Sequence, residues 1–164
     1  MSSQPKIAAL IVAAGRGTRA GGTSPKQWQP LRGKRVIDHT LAAFQDHPLV
    51  DRVVVVVNEA DMAYAKELTD NGCIITSGGV DRAGSVRNGL ALLGDADQVL
   101  IHDAARPCVS SEVINHVITA LKSGPAAAPG IAVTDALWLA EDGTVAGIQD
   151  RTALYAAQTP QGFD

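Results

Sequence analysis

Ile7-Ala-Ala-Leu-Ile-Val-Ala-Ala14, followed at once by Gly15-Arg-Gly-Thr-Arg-Ala-Gly-Gly22, is the stretch on which the fold turns. An unbroken apolar run of this kind suits a strand buried on both faces, and such strands belong to parallel sheets covered by helices. The glycines that follow it allow backbone N–H groups to converge on a concavity, which is how a chain binds phosphate without spending side chains. A buried strand running into a glycine loop therefore predicts an α/β domain with an anion site at the carboxyl edge of its sheet.

Working outward, apolar runs recur at Val53 to Val57, Ile74 to Thr76 and Val99 to Ile101. The segments between them carry helical spacing instead: Ile37, Leu41 and Phe44; Val86, Leu90 and Leu93; Val113, Val117 and Leu121. Each set falls on one helix face and reads as core. Right-handed crossovers between parallel strands then predict a three-layer α/β/α sandwich of Rossmann-like type. From Val133 the pattern changes. Val133 to Leu139, a turn at Glu141-Asp-Gly-Thr144, and Val145 to Ile148 read as a β-hairpin, expected either to pack on a partner subunit or to fold back on its own domain. Gly124 to Gly130 reads as a helix end entering a strand.

Composition narrows the function. The 164 residues are 46% hydrophobic, enough for one compact domain. A net charge of -3 gives no global attraction to nucleic acid or anionic membranes, so anion binding must come from local cations. No stretch reaches the apolar length of a membrane helix, and Cys73 and Cys108 lack the spacing of a metal or redox pair, so a cytoplasmic protein is expected.

Gly15-x-Gly17-x-x-Ala20 also satisfies the dinucleotide fingerprint. That reading requires an acid at the end of the next strand to hold a ribose, whereas the residue at the right distance, Asp38, falls inside a predicted helix. Arg16, Arg19 and Lys26 surround the glycines with more positive charge than a pyrophosphate on a helix N-terminus needs, which favours a triphosphate. The Walker pattern is absent. Two further constellations belong to the same sheet edge. Ser77-Gly-Gly-Val-Asp-Arg-Ala-Gly-Ser85 precedes the helix expected from Val86, and its glycines and Ser85 could read a base edge or simply turn and cap. His102-Asp-Ala-Ala-Arg-Pro107 ends a strand, where Asp103 could hold a divalent cation together with phosphate oxygens, or pair locally with Arg106. His39, His47, His102 and His116 have no metal-site spacing and no nucleophile beside them, so all four read as structural.

These motifs, with Ser24-Pro-Lys-Gln-Trp28 and Gln158-Thr-Pro-Gln-Gly-Phe163, closely resemble the 2-C-methyl-D-erythritol 4-phosphate cytidylyltransferases, over residues 6 to 163. The resemblance implies transfer of a cytidylyl group from CTP to methylerythritol phosphate, with Mg²⁺ or another divalent cation as cofactor. It implies Arg19 and Lys26 as the catalytic cations and Asp103 as metal ligand and substrate contact. Ala13, Ala14, Gly15, Arg16, Gly17, Gly79, Arg82, Ser85 and Ala104 fall at nucleotide positions, and Arg106, Asp135, Arg151 and Thr159 at acceptor positions. Because Arg151 matches a residue that reaches the partner's site, the resemblance implies a homodimer joined through a β-arm at about residues 133–152. The arm departs from the family's Asp-Thr pair, carrying Asp135-Ala136. The family also continues past the Thr-Pro-Gln-x-Phe motif and some relatives fuse this domain to the cyclodiphosphate synthase of the same pathway, so residues 1–164 are expected to be a domain truncated at its carboxyl end. A cytidylyltransferase for another polyol phosphate such as ribitol 5-phosphate, and a non-catalytic nucleotide-binding module, are the alternatives.

Overall fold

The computed structural model describes residues 4–16 and 24–164. In chain order, β1 (Ile7–Ala13) leads to a 3-10 turn at Lys26–Trp28, then β2 (Pro30–Leu31), β3 (Lys34–Arg35) and helix α1 (Val36–Gln45). Next come β4 (Arg52–Val57), α2 (Met62–Asp70), β5 (Ile74–Ser77), α3 (Arg82–Leu90), β6 (Gln98–Asp103) and α4 (Ser111–Leu121). The chain continues through β7 (Ala126–Ala127), β8 (Gly130–Ala132), β9 (Leu137–Glu141), β10 (Thr144–Gln149), β11 (Tyr155–Ala157) and β12 (Gln161–Phe163).

The main sheet runs in the order β5-β4-β1-β6-β12-β7. Strands β5, β4, β1 and β6 are parallel, so all four deliver their carboxyl ends to one edge. Strand β12 enters antiparallel between β6 and β7. It carries Thr159, just ahead of it, to that same edge.

Alternate residues of β1 and β4 serve two cores, as expected when a strand is covered on both faces. Ile7, Ala9, Ile11, Val53, Val55 and Val57 pack with Ile37, Leu41 and Phe44 of α1, Leu68 of α2, and Ile114, Val117 and Leu121 of α4. The opposite cluster holds Leu10, Val54, Val56 and Ile101, with Val86 and Leu93 packed against it. Helix α3 presses close to this face. A Cβ on Gly89 would lie 2.2 Å from Leu10 Cδ1 and 2.7 Å from Val56 Cγ2. This corrects the expected stripe of Val86, Leu90 and Leu93: Leu90 is 41% exposed, because the smallest residue, Gly89, takes the inward position.

The hairpin comprises β9 and β10, turned at Asp142 (φ 48°) and Gly143 (φ 78°), with Ile148 opposite Trp138. Positive φ at both central residues is the turn whose twist matches the flanking strands. The expected first strand from Val133 begins later, at Leu137. Residues Val133 and Leu154 instead join through a backbone hydrogen bond that extends the β8–β11 pair at the arm's base. Among the described residues, no helix is long and apolar enough to cross a membrane.

Candidate active site

The carboxyl edge of the parallel strands opens into a cleft of about 780 Å³, within the range of small-molecule sites. Ala13, Ala14, Gly15 and Arg16 form one wall with Lys26, Gly79, Arg82 and Ser85 a second, and Asp103, Ala104 and Arg106 line the third. Three stretches far apart in sequence therefore meet because three parallel strands end there. Gly17 and Arg19 lie outside the described residues.

The start of the glycine loop is tied down from the far side. Gln27 is buried, and its Nε2 donates to the carbonyls of Ala13 at 2.7 Å and Gly15 at 3.0 Å. Its neighbour Lys26 is thereby held at the rim of the cleft, exposed. The sequence marked Lys26 for its charge and overlooked Gln27, whose task is bonding two backbone carbonyls.

Helix α3 begins at Arg82 and not at Val86, and its cap is not Ser85. Asp81 has extended backbone and accepts a hydrogen bond from the Gly84 N–H at 2.6 Å, the geometry of an N-cap. Ser85 lies one turn inside, buried, where its hydroxyl donates to the Asp81 carbonyl at 2.9 Å and accepts from the Gly79 N–H at 3.1 Å. The Gly78-Gly79 segment is folded against this turn. A Cβ on Gly79 would meet the Gly84 backbone at 2.6 Å, and one on Gly78 would meet Ala14 Cβ at 2.6 Å. Only glycine lets this wall approach the first strand so closely.

Asp103 sits at the centre of the third wall. One carboxylate oxygen accepts from Arg82 Nη1 at 2.8 Å, the other from Arg106 Nε at 3.1 Å. Burial works against its charge, yet the two guanidinium groups hold its carboxyl below the usual carboxylate range. Arg106 also donates through Nη1 to Gln158 Oε1 at 2.6 Å, which ties the loop after β6 to the segment entering β12. His102, inside the same strand end, is fully buried against Phe44, ring centroids 4.9 Å apart. Its Nε2 lies 3.1 Å from the Arg106 carbonyl and its Nδ1 2.9 Å from Thr159 Oγ1. Burial pushes its imidazole below the ordinary histidine value, opposed by the Arg106 carbonyl and the Asp103 carboxylate.

Asp135 and Arg151 are exposed and lie outside the cleft lining. Thr159 is half-buried and also falls outside the cleft lining, joined to the third wall by a long hydrogen bond of 3.5 Å that its Oγ1 accepts from the Asp103 N–H. No group of three or more His, Cys, Asp or Glu side chains among the described residues could hold a metal by itself. The donor set is instead one hard carboxylate, Asp103, facing a cleft rich in cations. That suits Mg²⁺, which binds through one or two carboxylates with substrate phosphates and water, rather than a metal needing a protein cage. Each Asp103 oxygen accepts one arginine hydrogen bond and keeps a second lone pair, so the carboxylate could take the ion with Arg82 and Arg106 in place.

The doubly covered parallel sheet, its glycine-lined edge and the Lys26, Arg82 and Arg106 cations that line the cleft with Asp103 define an α/β domain whose sheet edge suits a phosphorylated ligand. Comparison with known proteins specifies it further. Residues 7–164 match the family model of 2-C-methyl-D-erythritol 4-phosphate cytidylyltransferase, and the chain belongs to that family. It is 55% identical over 158 residues to the bifunctional enzyme IspD/IspF of Ruegeria pomeroyi, which takes in 95% of this chain and 42% of the relative's length. It is 52% identical over 159 residues to the 2-C-methyl-D-erythritol 4-phosphate cytidylyltransferase of Roseobacter denitrificans, with 96% and 72% covered. The crystal structure of 4-diphosphocytidyl-2C-methyl-D-erythritol synthase from Anaerococcus prevotii superposes with a TM-score of 0.84 at 28% identity, over 99% of this chain and 72% of that one. The chain thus spans less than half of the bifunctional relative.

Proposed function

We propose that this domain transfers the cytidylyl group of CTP to 2-C-methyl-D-erythritol 4-phosphate, giving 4-diphosphocytidyl-2-C-methyl-D-erythritol and pyrophosphate. The observation that carries the proposal is the cleft's third wall. There one carboxylate, Asp103, holds two arginines, Arg82 and Arg106, in a cleft that Lys26 also lines, and such a set of cations is what a reaction between two phosphorylated anions requires. An oxygen of the acceptor phosphate attacks the α-phosphorus of CTP. The new P–O bond forms as the bond to the bridging oxygen breaks, and that electron pair leaves with pyrophosphate. No protein nucleophile is needed; the work is alignment and charge neutralisation.

In this reading Lys26 and Arg19 neutralise the reacting phosphates. Ala13, Ala14, Gly15, Arg16, Gly17 and Ala104 flank the nucleotide, and Gly79, Arg82 and Ser85 line the base side. Asp103 would hold Mg²⁺, which when bound supplies positive charge to the triphosphate. Arg106 and Thr159 face the acceptor. The hairpin supports a homodimer: Trp138, Val145 and Ile148, on one face by their strand register, are all more than half exposed, an apolar surface that a second copy would cover while Asp135 and Arg151 approach that copy's acceptor site. The two free thiols, Cys73 and Cys108, support a cytoplasmic setting.

The test is pyrophosphate release by the protein as the cell makes it, with CTP, methylerythritol phosphate and Mg²⁺, alongside ribitol 5-phosphate as competing acceptor. Turnover is expected with the first acceptor. Turnover with ribitol 5-phosphate alone would move the activity to another polyol phosphate, and none with either acceptor, CTP still bound, would leave a nucleotide-binding module.

A further inference from the structure

Three consecutive carbonyls at the end of β1 are held by two side-chain amides. Gln27 spends both protons of its Nε2, one on the Ala13 carbonyl at 2.7 Å and one on that of Gly15 at 3.0 Å. Asn58, the residue after β4, donates through Nδ2 to the Ala14 carbonyl between them at 3.4 Å, while its Oδ1 accepts from the Ala60 N–H at 3.1 Å. Both side chains line the cleft. The turn that carries Gln27 is itself fixed. Trp28, next along it, is buried, with the Arg35 guanidinium 5.6 Å from its ring centroid and the Tyr64 ring 6.1 Å away. The segment being held has no packing of that kind. Gly15 is exposed, and among the described residues a Cβ there would meet nothing within 4 Å. Glycine also has the most backbone freedom to lose, so its conformation must be imposed from outside.

We propose that Gln27 and Asn58 are positioning residues that preorganise the junction of β1 and the glycine loop for CTP, by fixing which way the peptides from Ala13 to Arg16 face. Across a trans peptide the N–H points opposite to the C=O. With the Ala13 and Gly15 carbonyls drawn to Gln27, the N–H groups of Ala14 and Arg16 point away from it. With the Ala14 carbonyl drawn to Asn58, the Gly15 N–H points away from Asn58. The amides also offset the partial negative charge of three carbonyl oxygens at an edge that has to receive a triphosphate. The proposal rests on the CTP reading above and adds to it two residues that act through the backbone. A junction without them would still close on the nucleotide, but its ordering would then subtract from the binding free energy. A side chain that merely filled space would leave CTP affinity unchanged.

The test is CTP binding by calorimetry, with steady-state kinetics, on the protein as the cell makes it. Gln27→Met keeps the length of the side chain and removes both donors. Its Kd and KM for CTP should rise on the order of tenfold while kcat at saturating CTP stays within about threefold, because bound CTP restores the junction and Trp28 keeps the turn. Asn58→Ser keeps an oxygen to cap Ala60 but cannot reach Ala14, and should weaken CTP about threefold. Both residues hold one segment, so the double variant should lose less than the product of the two single losses. Unchanged CTP affinity in Gln27→Met, a kcat that falls as far as KM rises, or a fully multiplicative double variant would each overturn the proposal. Should Gln27→Met not fold, Asn58→Ser decides alone, and unchanged affinity there overturns it. Wild-type protein that fails to bind CTP would sink the functional reading itself, whereas wild type and variants that bind CTP equally well would sink only this proposal.

Discussion

Gly79, Ser85 and Lys26 show how differently single residues of one cleft can matter. At Gly79 a methyl group has nowhere to go, since the atoms it would strike are the backbone of α3's first turn at 2.6 Å and 2.8 Å. Gly79→Ala should therefore displace the loop and raise the KM for CTP by about tenfold or more in steady-state assays, with little change in overall fold. Ser85→Ala removes the partner of the Gly79 N–H and should cost about 1–3 kcal/mol, read as a lower urea midpoint together with weaker CTP binding. Lys26 touches no acidic side chain among the described residues, so its loss should spare stability. Lys26→Ala is expected to lower kcat on the order of a hundredfold while CTP affinity changes by a few-fold at most; equal loss in both would point to binding without chemistry. Much of this was readable in advance, because Gly79, Lys26, Asp103 and Arg106 announce themselves by residue type and by position after a strand. Gln27 and His102 did not. Each acts through hydrogen bonds to main-chain carbonyls, Ala13 and Gly15 for Gln27 and Arg106 for His102, and a sequence contains no signal for which carbonyl a distant side chain will meet.

At the scale of elements, the strands that could be read were those buried on both faces. Ile7 to Ala14 and Val53 to Val57 carry an apolar run long enough to exclude other readings. Strand β12 is only Gln161-Gly-Phe163, too short for any period, and its insertion beside β6 is decided by tertiary packing: a Cβ on Gly162 would lie 2.7 Å from Val117 and 3.0 Å from Leu121. Helix α3 was misjudged for a related reason. Its buried face is set by Ser85 and Gly89, residues that hydropathy counts as neutral. Gly89→Ala, favourable for an isolated helix, should here lower stability by about 1–3 kcal/mol because the added methyl collides with Leu10 and Val56; equilibrium denaturation reads this directly. Helix α1 offers a pH-dependent counterpart. Burial disfavours the Asp38 carboxylate, but the Arg35 guanidinium and backbone N–H outweigh that and hold it below its ordinary 3.8. A depressed carboxyl stabilises the fold above its unfolded value and loses that contribution as pH falls through the folded one. The stability gap between wild type and Asp38→Asn should thus be constant above about pH 5 and close below about pH 3.8.

Across the whole molecule the two thiols report on the fold as a unit. Burial pushes the Cys73 thiol up to about 11, whereas Cys108 is exposed. Native protein at pH 8 should take one alkyl group, at Cys108, and a second only at the rate of unfolding, as mass spectrometry would show. The raised Cys73 value stabilises the fold below the unfolded thiol's pKa and is lost as pH climbs toward the folded one, so stability should decline above about pH 9. The order of strands has a consequence of another kind. Everything on the nucleotide side of the cleft comes from the stretch between Ala13 and Arg106, whereas Thr159 arrives with β12, the strand that closes over β6. During synthesis the β1, β4, β5 and β6 layer can pair while the later residues are still inside the ribosome. The two sides of the cleft are thus separated in the chain, and on the proposed function the half that would face CTP is encoded well before the half that would face the acceptor.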